Sequence, residues 1–277
     1  MRAVILSNMR ALAIAVVVGA AACVPAAAEK EPRGAVALRT EPSAPSRGEP
    51  FTTSDGWTVT VDAFALHVSI AAKIESSSEY GVVGGGNVLF QGGRSEDLVV
   101  LGIPAGSAFA VVTFSSSSVY DDGIAIQPDD IRAVPPEMVQ RFLLPPSGPA
   151  PTIPGFISGP SVIVVAHARK GERTLLLDVA LRSAIPQHGA RAVIAANALT
   201  PVSTPIAVEA LFTTASGTVA FDDFASADKD LDGVLSAEEL GENSNRGCLD
   251  CNERSLLEML EARTDNIIGL PVWQRGF

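Results

Sequence analysis

The chain has 277 residues, with 31 Asp plus Glu against 20 Lys plus Arg, for a formal net charge of −11. That acidity, with no basic stripe, excludes a nucleic-acid binder that works through the phosphate backbone. Hydrophobic residues make up 47% and charged residues 18%, which excludes wholesale disorder, and 24 Gly with 19 Pro favour turns and strands over long helices.

Residues 1–28 read as a bacterial-type export signal. Arg2 and Arg10 supply the positive start, and the apolar run from Ala11 to Ala22 is short for a membrane span. Two exits fit. Ala26-Ala27-Ala28 is an A-x-A cleavage site, whereas Ala20-Ala21-Ala22-Cys23 is lipobox-like and would make Cys23 the acylated mature N-terminus. The lipoprotein is the preferred reading, because it gives the cysteine a purpose. It predicts an exported protein of the outer membrane or periplasm, held to the membrane through a lipid on Cys23. Residues 29–50, rich in Ala, Pro, Glu, Arg and Ser without periodicity, are predicted to be a flexible tether.

From Phe51 the pattern is that of strands. Trp57-Thr58-Val59-Thr60-Val61-Asp62 alternates with period two. The phase slips at Ala63-Phe64, then Phe64, Leu66, Val68 and Ile70 carry the apolar face onward, which predicts a bulge. The Gly-rich stretch from Gly81 to Gly86 lacks dinucleotide-fingerprint spacing and reads as a mobile loop. Leu98–Gly102 and Ala108–Phe114 are further strands. Pro136–Leu143 is a short helix with proline in its first turn. Residues 144–160, with six Pro and three Gly, read as a surface crossing. The clearest hairpin spans Ser161 to Leu181, with its turn at Lys170-Gly171-Glu172, and Ala192–Ala196 and Pro205–Phe212 complete the set. The expected fold is mainly β: a β-sandwich over 51–216, followed by a small α-helical EF-hand-type module over 217–277.

The strongest motif runs from Asp228 to Glu239 and satisfies the EF-hand loop pattern at every specified position. Calcium is a hard cation that takes six to eight oxygens. Asp228, Asp230 and Asp232 would offer carboxylates, Val234 its backbone carbonyl, Ser236 a direct or water-mediated oxygen, and Glu239 two closing oxygens. Gly233 supplies the left-handed turn at position six, and Leu235 is the apolar residue at position eight. Calcium should order the segment as well as bind to it, because the acids repel one another without it. No second loop follows, so a constitutive staple is favoured over a paired sensor. Phe221 and Phe224 mark a short entering helix. Glu238 and Leu240 begin an exit ended by Gly241, and Asn252 is predicted to cap a helix carrying Leu256, Leu257, Met259 and Leu260.

Cys248-Leu249-Asp250-Cys251 is a C-x-x-C pair, for which a disulfide is the default in an exported chain. A thiol or soft-metal site and a redox pair are the alternatives, and they define a second functional class: a periplasmic metal-handling or redox protein. His67 and His167 fall in strand-like runs and His188 in a loop. No catalytic motif is found, and no catalytic residue is assigned.

Thr53-Ser54-Asp55-Gly56-Trp57-Thr58-Val59-Thr60, Ile103-Pro104-Ala105-Gly106, the Ser161–Leu181 hairpin, Leu211-Phe212 and the segment from Phe221 to Leu240 together resemble a group of myxobacterial-type exported lipoproteins. The resemblance spans residues 51 to about 240. It implies a β-rich exported domain followed by a calcium loop. Relatives in the group carry histidines before the Leu-Phe pair, where this chain has Ala207-Val208-Glu209-Ala210, so a transition-metal role does not carry over. The chain also lacks the terminal Cys associated with the group, and no activity comes with the likeness.

Overall fold

The computed structural model describes residues 32–75, 80–105, 110–116, 131–132, 134–143, 159–182, 188–192, 195–212, 221–242, 255–269 and 272–273. The expected signal segment, the expected lipidation site Cys23, and the Cys248 and Cys251 pair lie outside these residues. In chain order the strands are β1 (Arg33–Pro42), β2 (Phe51–Thr52), β3 (Thr58–Glu75), β4 (Tyr80–Gln91), β5 (Asp97–Pro104), β6 (Ala110–Ser116), β7 (Ile131–Arg132), β8 (Val162–Lys170), β9 (Arg173–Leu181), β10 (His188–Ala192), β11 (Leu199–Ile206), β12 (Val234–Leu235) and β13 (Val272–Trp273). Among the described residues the α-helices are α1 (Pro136–Leu143), α2 (Asp222–Ala225), α3 (Ala237–Glu242) and α4 (Leu256–Arg263). The fold is mostly β.

Strand β3 organises the larger sheet. Its first half pairs with β8 as far as Leu66, and from Val68 onward the same edge pairs with β6. Its other edge pairs first with β2 and then with β4. The expected slip in phase is present: the β3–β8 register shifts between Val61 and Ala63. The extra residue turns Phe64, Leu66 and Val68 onto the same core as Val59 and Val61. The nine-stranded sheet runs β10-β6-β3-β8-β9-β12, with β2, β4 and β7 attached beside that path.

A four-stranded sheet, β13-β11-β1-β5, contributes Val36, Leu98, Val202 and Ile206 to that core. The opposite face of the large sheet carries a smaller cluster, where Met138 and Phe142 of α1 cover Ala65, Leu89 and Ile163. His67 is buried in β3 near the Phe142 ring. His167 is exposed on β8, its Nδ1 atom 2.8 Å from Asp62 Oδ2.

Several expectations are corrected. The tether expected over 29–50 does not reach residue 50, because β1 begins at Arg33 and lies between β11 and β5. Hydrogen bonding along both edges satisfies its backbone regardless of its tether-like composition. Beyond it, Ser46 is buried, donates to the Ile206 carbonyl at 3.1 Å and accepts from the Val208 amide at 2.9 Å. The glycines 84–86 form part of β4, opposite Ile70, Ala71 and Ala72 of β3. His188 opens β10 rather than a loop, and the strand expected at 192–196 ends at Ala192. The strand expected over Pro205–Phe212 ends at Ile206 as the last part of β11, and a 3-10 helix takes over at Val208–Phe212.

The boundary expected at 216/217 also changes, because Arg33–Phe277 groups as one compact unit. Phe221, Phe224, Leu235, Leu240, Leu257 and Leu260 share the main core with the strands. Helix α3 continues through Gly241 to Glu242. Helix α4 is capped by Ser255 rather than Asn252: its side chain accepts from the Glu258 amide, while the Glu258 carboxylate accepts from the Ser255 amide. Among the described residues no helix is long and apolar enough to cross a membrane.

Candidate metal centre

The acidic loop is shaped by its own short side chains. Asp230 Oδ1 accepts from the Asp232 amide at 3.2 Å, and Asp232 Oδ1 accepts from the Val234 amide at 2.7 Å. Asp228 Oδ1 accepts from the Gly233 amide at 3.4 Å. The two bonds that reach two residues ahead, from Asp230 and Asp232, curl this part of the backbone locally. Gly233 has φ +81°, and an added Cβ would come within 3.3 Å of the Thr174 carbonyl oxygen. Glycine suits the left-handed conformation there, and a side chain would also crowd the Thr174 carbonyl. Leu231, at position four, also has a left-handed backbone, with φ 61°, and is 76% exposed.

Carboxylate oxygens of Asp228, Asp230 and Asp232 come within 4.8 Å of one another. Oxygens bound at 2.3–2.6 Å to one hard cation can lie at most about 5 Å apart, so this spacing fits a single ion. All three donors are oxygens, which suits a hard cation rather than a soft one. Ser236 and Glu239 are joined to each other: Glu239 Oε2 accepts from the Ser236 amide at 2.9 Å and its hydroxyl at 2.8 Å. The Glu239 amide in turn meets Ser236 Oγ at 3.2 Å. This reciprocal capping starts α3 and holds position twelve next to the loop. Val234 lies in β12, one residue before the fully buried Leu235.

The loop is attached to the β body. Val234 and Leu235 pair in parallel with Leu176 and Leu177 of β9, and the Leu176 amide donates to the Gly233 carbonyl at 2.8 Å. The loop thus takes its strand partner from the edge of the large sheet.

Four residues that the motif did not reveal clasp the entry to the loop. Asp55 Oδ2 accepts from the amides of Phe221 and Asp222 at 2.7 and 2.6 Å, satisfying donors at the start of α2. Burial opposes the charge of Asp55, but bonds from Thr53 and from these amides outweigh it and hold the carboxyl below its ordinary range. Trp57 Nε1 donates to Asp222 Oδ1 at 2.7 Å. Lys170 Nζ approaches both Asp222 oxygens, at 2.9 and 3.1 Å. These bonds, that of Lys170 first, lower the pKa of Asp222. Beneath them the Trp57, Phe212, Phe221 and Phe224 rings pack at 5.4 to 6.0 Å. Arg173 Nη2 donates to the Ala225 carbonyl at 2.8 Å and to Asp228 Oδ2 at 3.1 Å. Asp55-Gly56-Trp57 carries a turn signature in the sequence, but nothing local links it, Lys170 or Arg173 to residues 50 or more positions away.

Compared with known protein families, with curated proteins and with solved structures, the chain finds no match.

Proposed function

We propose that this is an exported, lipid-anchored protein in which a β-sandwich binding body is stapled by one calcium ion in an EF-hand-type loop. The observation that carries the reading is the convergence of the Asp228, Asp230 and Asp232 carboxylates within 4.8 Å, on a loop with Gly at position six and Glu at position twelve. Asp228, Asp230, Asp232, Val234, Ser236 and Glu239 would hold the ion. The bound ion would neutralise charge that the loop otherwise carries as mutual repulsion. Two sheets that contribute to one core support the sandwich. Attachment of the loop to β9 supports a staple over a switch, because ion binding would tie α2, α3 and the sheet edge together. The export signal and the lipobox-like Cys23 support the location.

Calorimetric calcium titration tests the reading. One ion per chain is expected, with a dissociation constant of about 10⁻⁴ to 10⁻³ M, together with a melting temperature that rises with calcium. Asp228→Ala with Glu239→Gln should abolish both effects. No heat and an unchanged melt in millimolar calcium would refute the site. The mass of the mature N-terminus decides between acylated Cys23 and cleavage after Ala28. A thiol titration decides whether Cys248 and Cys251 are closed as a disulfide, and free reactive thiols would favour the redox class instead.

A further inference from the structure

The tip of the β8–β9 hairpin touches both ends of α2. Lys170 precedes the two-residue turn Gly171-Glu172 and meets Asp222 at the first position of the helix. Arg173 follows the turn and meets the Ala225 carbonyl at the last position, then reaches on to Asp228. Of the three clustered aspartates, Asp228 alone is buried, its side chain 3% exposed, and the guanidinium lies 3.1 Å from its Oδ2 atom. A buried carboxylate is costly unless a partner compensates it, and Arg173 is that partner. The same carboxylate stands at position one of the loop, where a cation would need it.

We propose that Arg173 is a tethered counter-cation of the acidic loop, which compensates Asp228 when no metal is bound and competes with a divalent cation for that carboxylate. The inference rests on the reading of the loop as a calcium site and adds what sets its affinity. A fixed positive charge within hydrogen-bond distance of a ligand carboxylate repels an incoming dication, whether the guanidinium stays on Oδ2 or leaves it. The arginine therefore stabilises the metal-free loop and weakens the metal-bound one. The consequence is a loop that fills only where calcium is abundant.

The experiment compares the exported wild-type protein with Arg173→Gln and Arg173→Lys, using calcium titration at fixed ionic strength and melting in chelator. Arg173→Gln should bind calcium about three- to tenfold more tightly, as expected for removing one partly screened charge. In chelator it should melt about 3 to 6 °C lower. Arg173→Lys keeps the charge and should stay near the wild-type affinity. Equal or weaker binding by Arg173→Gln overturns the proposal and leaves the calcium site intact. Absence of binding by all three proteins overturns both. If Arg173→Gln does not fold, the guanidinium NMR signal of Arg173 in the wild type supplies the test. It should shift in step with calcium occupancy, and a signal unmoved at saturation overturns the proposal.

Discussion

Leu235, the eighth residue of the acidic loop, pairs with Leu177 of β9, and both side chains are fully buried in the main core. The acidic segment is thus a continuation of the large sheet. Its conformation depends on the same apolar packing that holds β8 and β9 together.

Leu235→Ala removes buried methyl groups at this junction and should cost about 2–5 kcal/mol. Urea unfolding of the chelated protein measures the cost. Because the side chain belongs to the shared core, loss should appear as one lower midpoint for the whole unit. A separate early transition for the loop, with the body unaffected, would contradict the shared core.

Asp55→Ala strips the acceptor from the Phe221 and Asp222 amides and should cost about 1–2 kcal/mol at neutral pH. The carboxyl sits below its ordinary range in the fold, so its contribution is present above the unfolded pKa of about 4 and is lost as pH falls below it. The gap in urea midpoint between variant and wild type should therefore narrow between pH 7 and pH 3. A gap of constant size would show that Asp55 acts through something other than its charge.

Asp265 behaves in the opposite sense. Burial raises its carboxyl to about 6, and its Oδ1 atom is buried without a hydrogen-bond partner. A raised carboxyl pKa means that the folded state holds the proton more tightly. Its stabilising effect is complete below about pH 4 and lost as pH rises through 6. Asp265→Asn should therefore raise the melting temperature at pH 7.5 and leave it little changed at pH 4. A lower melting temperature at pH 7.5 would refute this account.

Arg182 and Glu261 form a buried pair, with Arg182 Nε donating to Glu261 Oε1 at 2.6 Å and side chains only 4% and 2% exposed. Burial raises the Glu261 pKa even against the arginine. Arg182→Met leaves an uncompensated carboxyl between β9 and α4 and should cost about 3–5 kcal/mol. Adding Glu261→Leu should recover much of that loss, because an apolar pair of similar size suits the same space. Chemical denaturation of the single and double variants measures the recovery. A double variant as unstable as the single one would rule out charge burial as the cause.

The sequence by itself determined what depends on near neighbours. The spacing of Asp228, Asp230 and Asp232 announced the three carboxylates that meet, and Asp230 and Asp232 curl their own backbone by bonding two residues ahead. The phase slip at Ala63-Phe64 marked the bulge, because period two is a property of one strand. Tertiary structure alone decided the rest. Residues 33–42 became a strand because β5 and β11 hydrogen-bond both of its edges. The glycines 84–86 became part of β4 because β3 pairs with them, and no local propensity announced it. The partner of Leu235 lies nearly sixty residues away on β9, and the guanidinium on Asp228 comes from the far end of the hairpin turn. Backbone pairing and charge compensation act between surfaces that meet only after folding, so neither leaves a periodic trace in the chain.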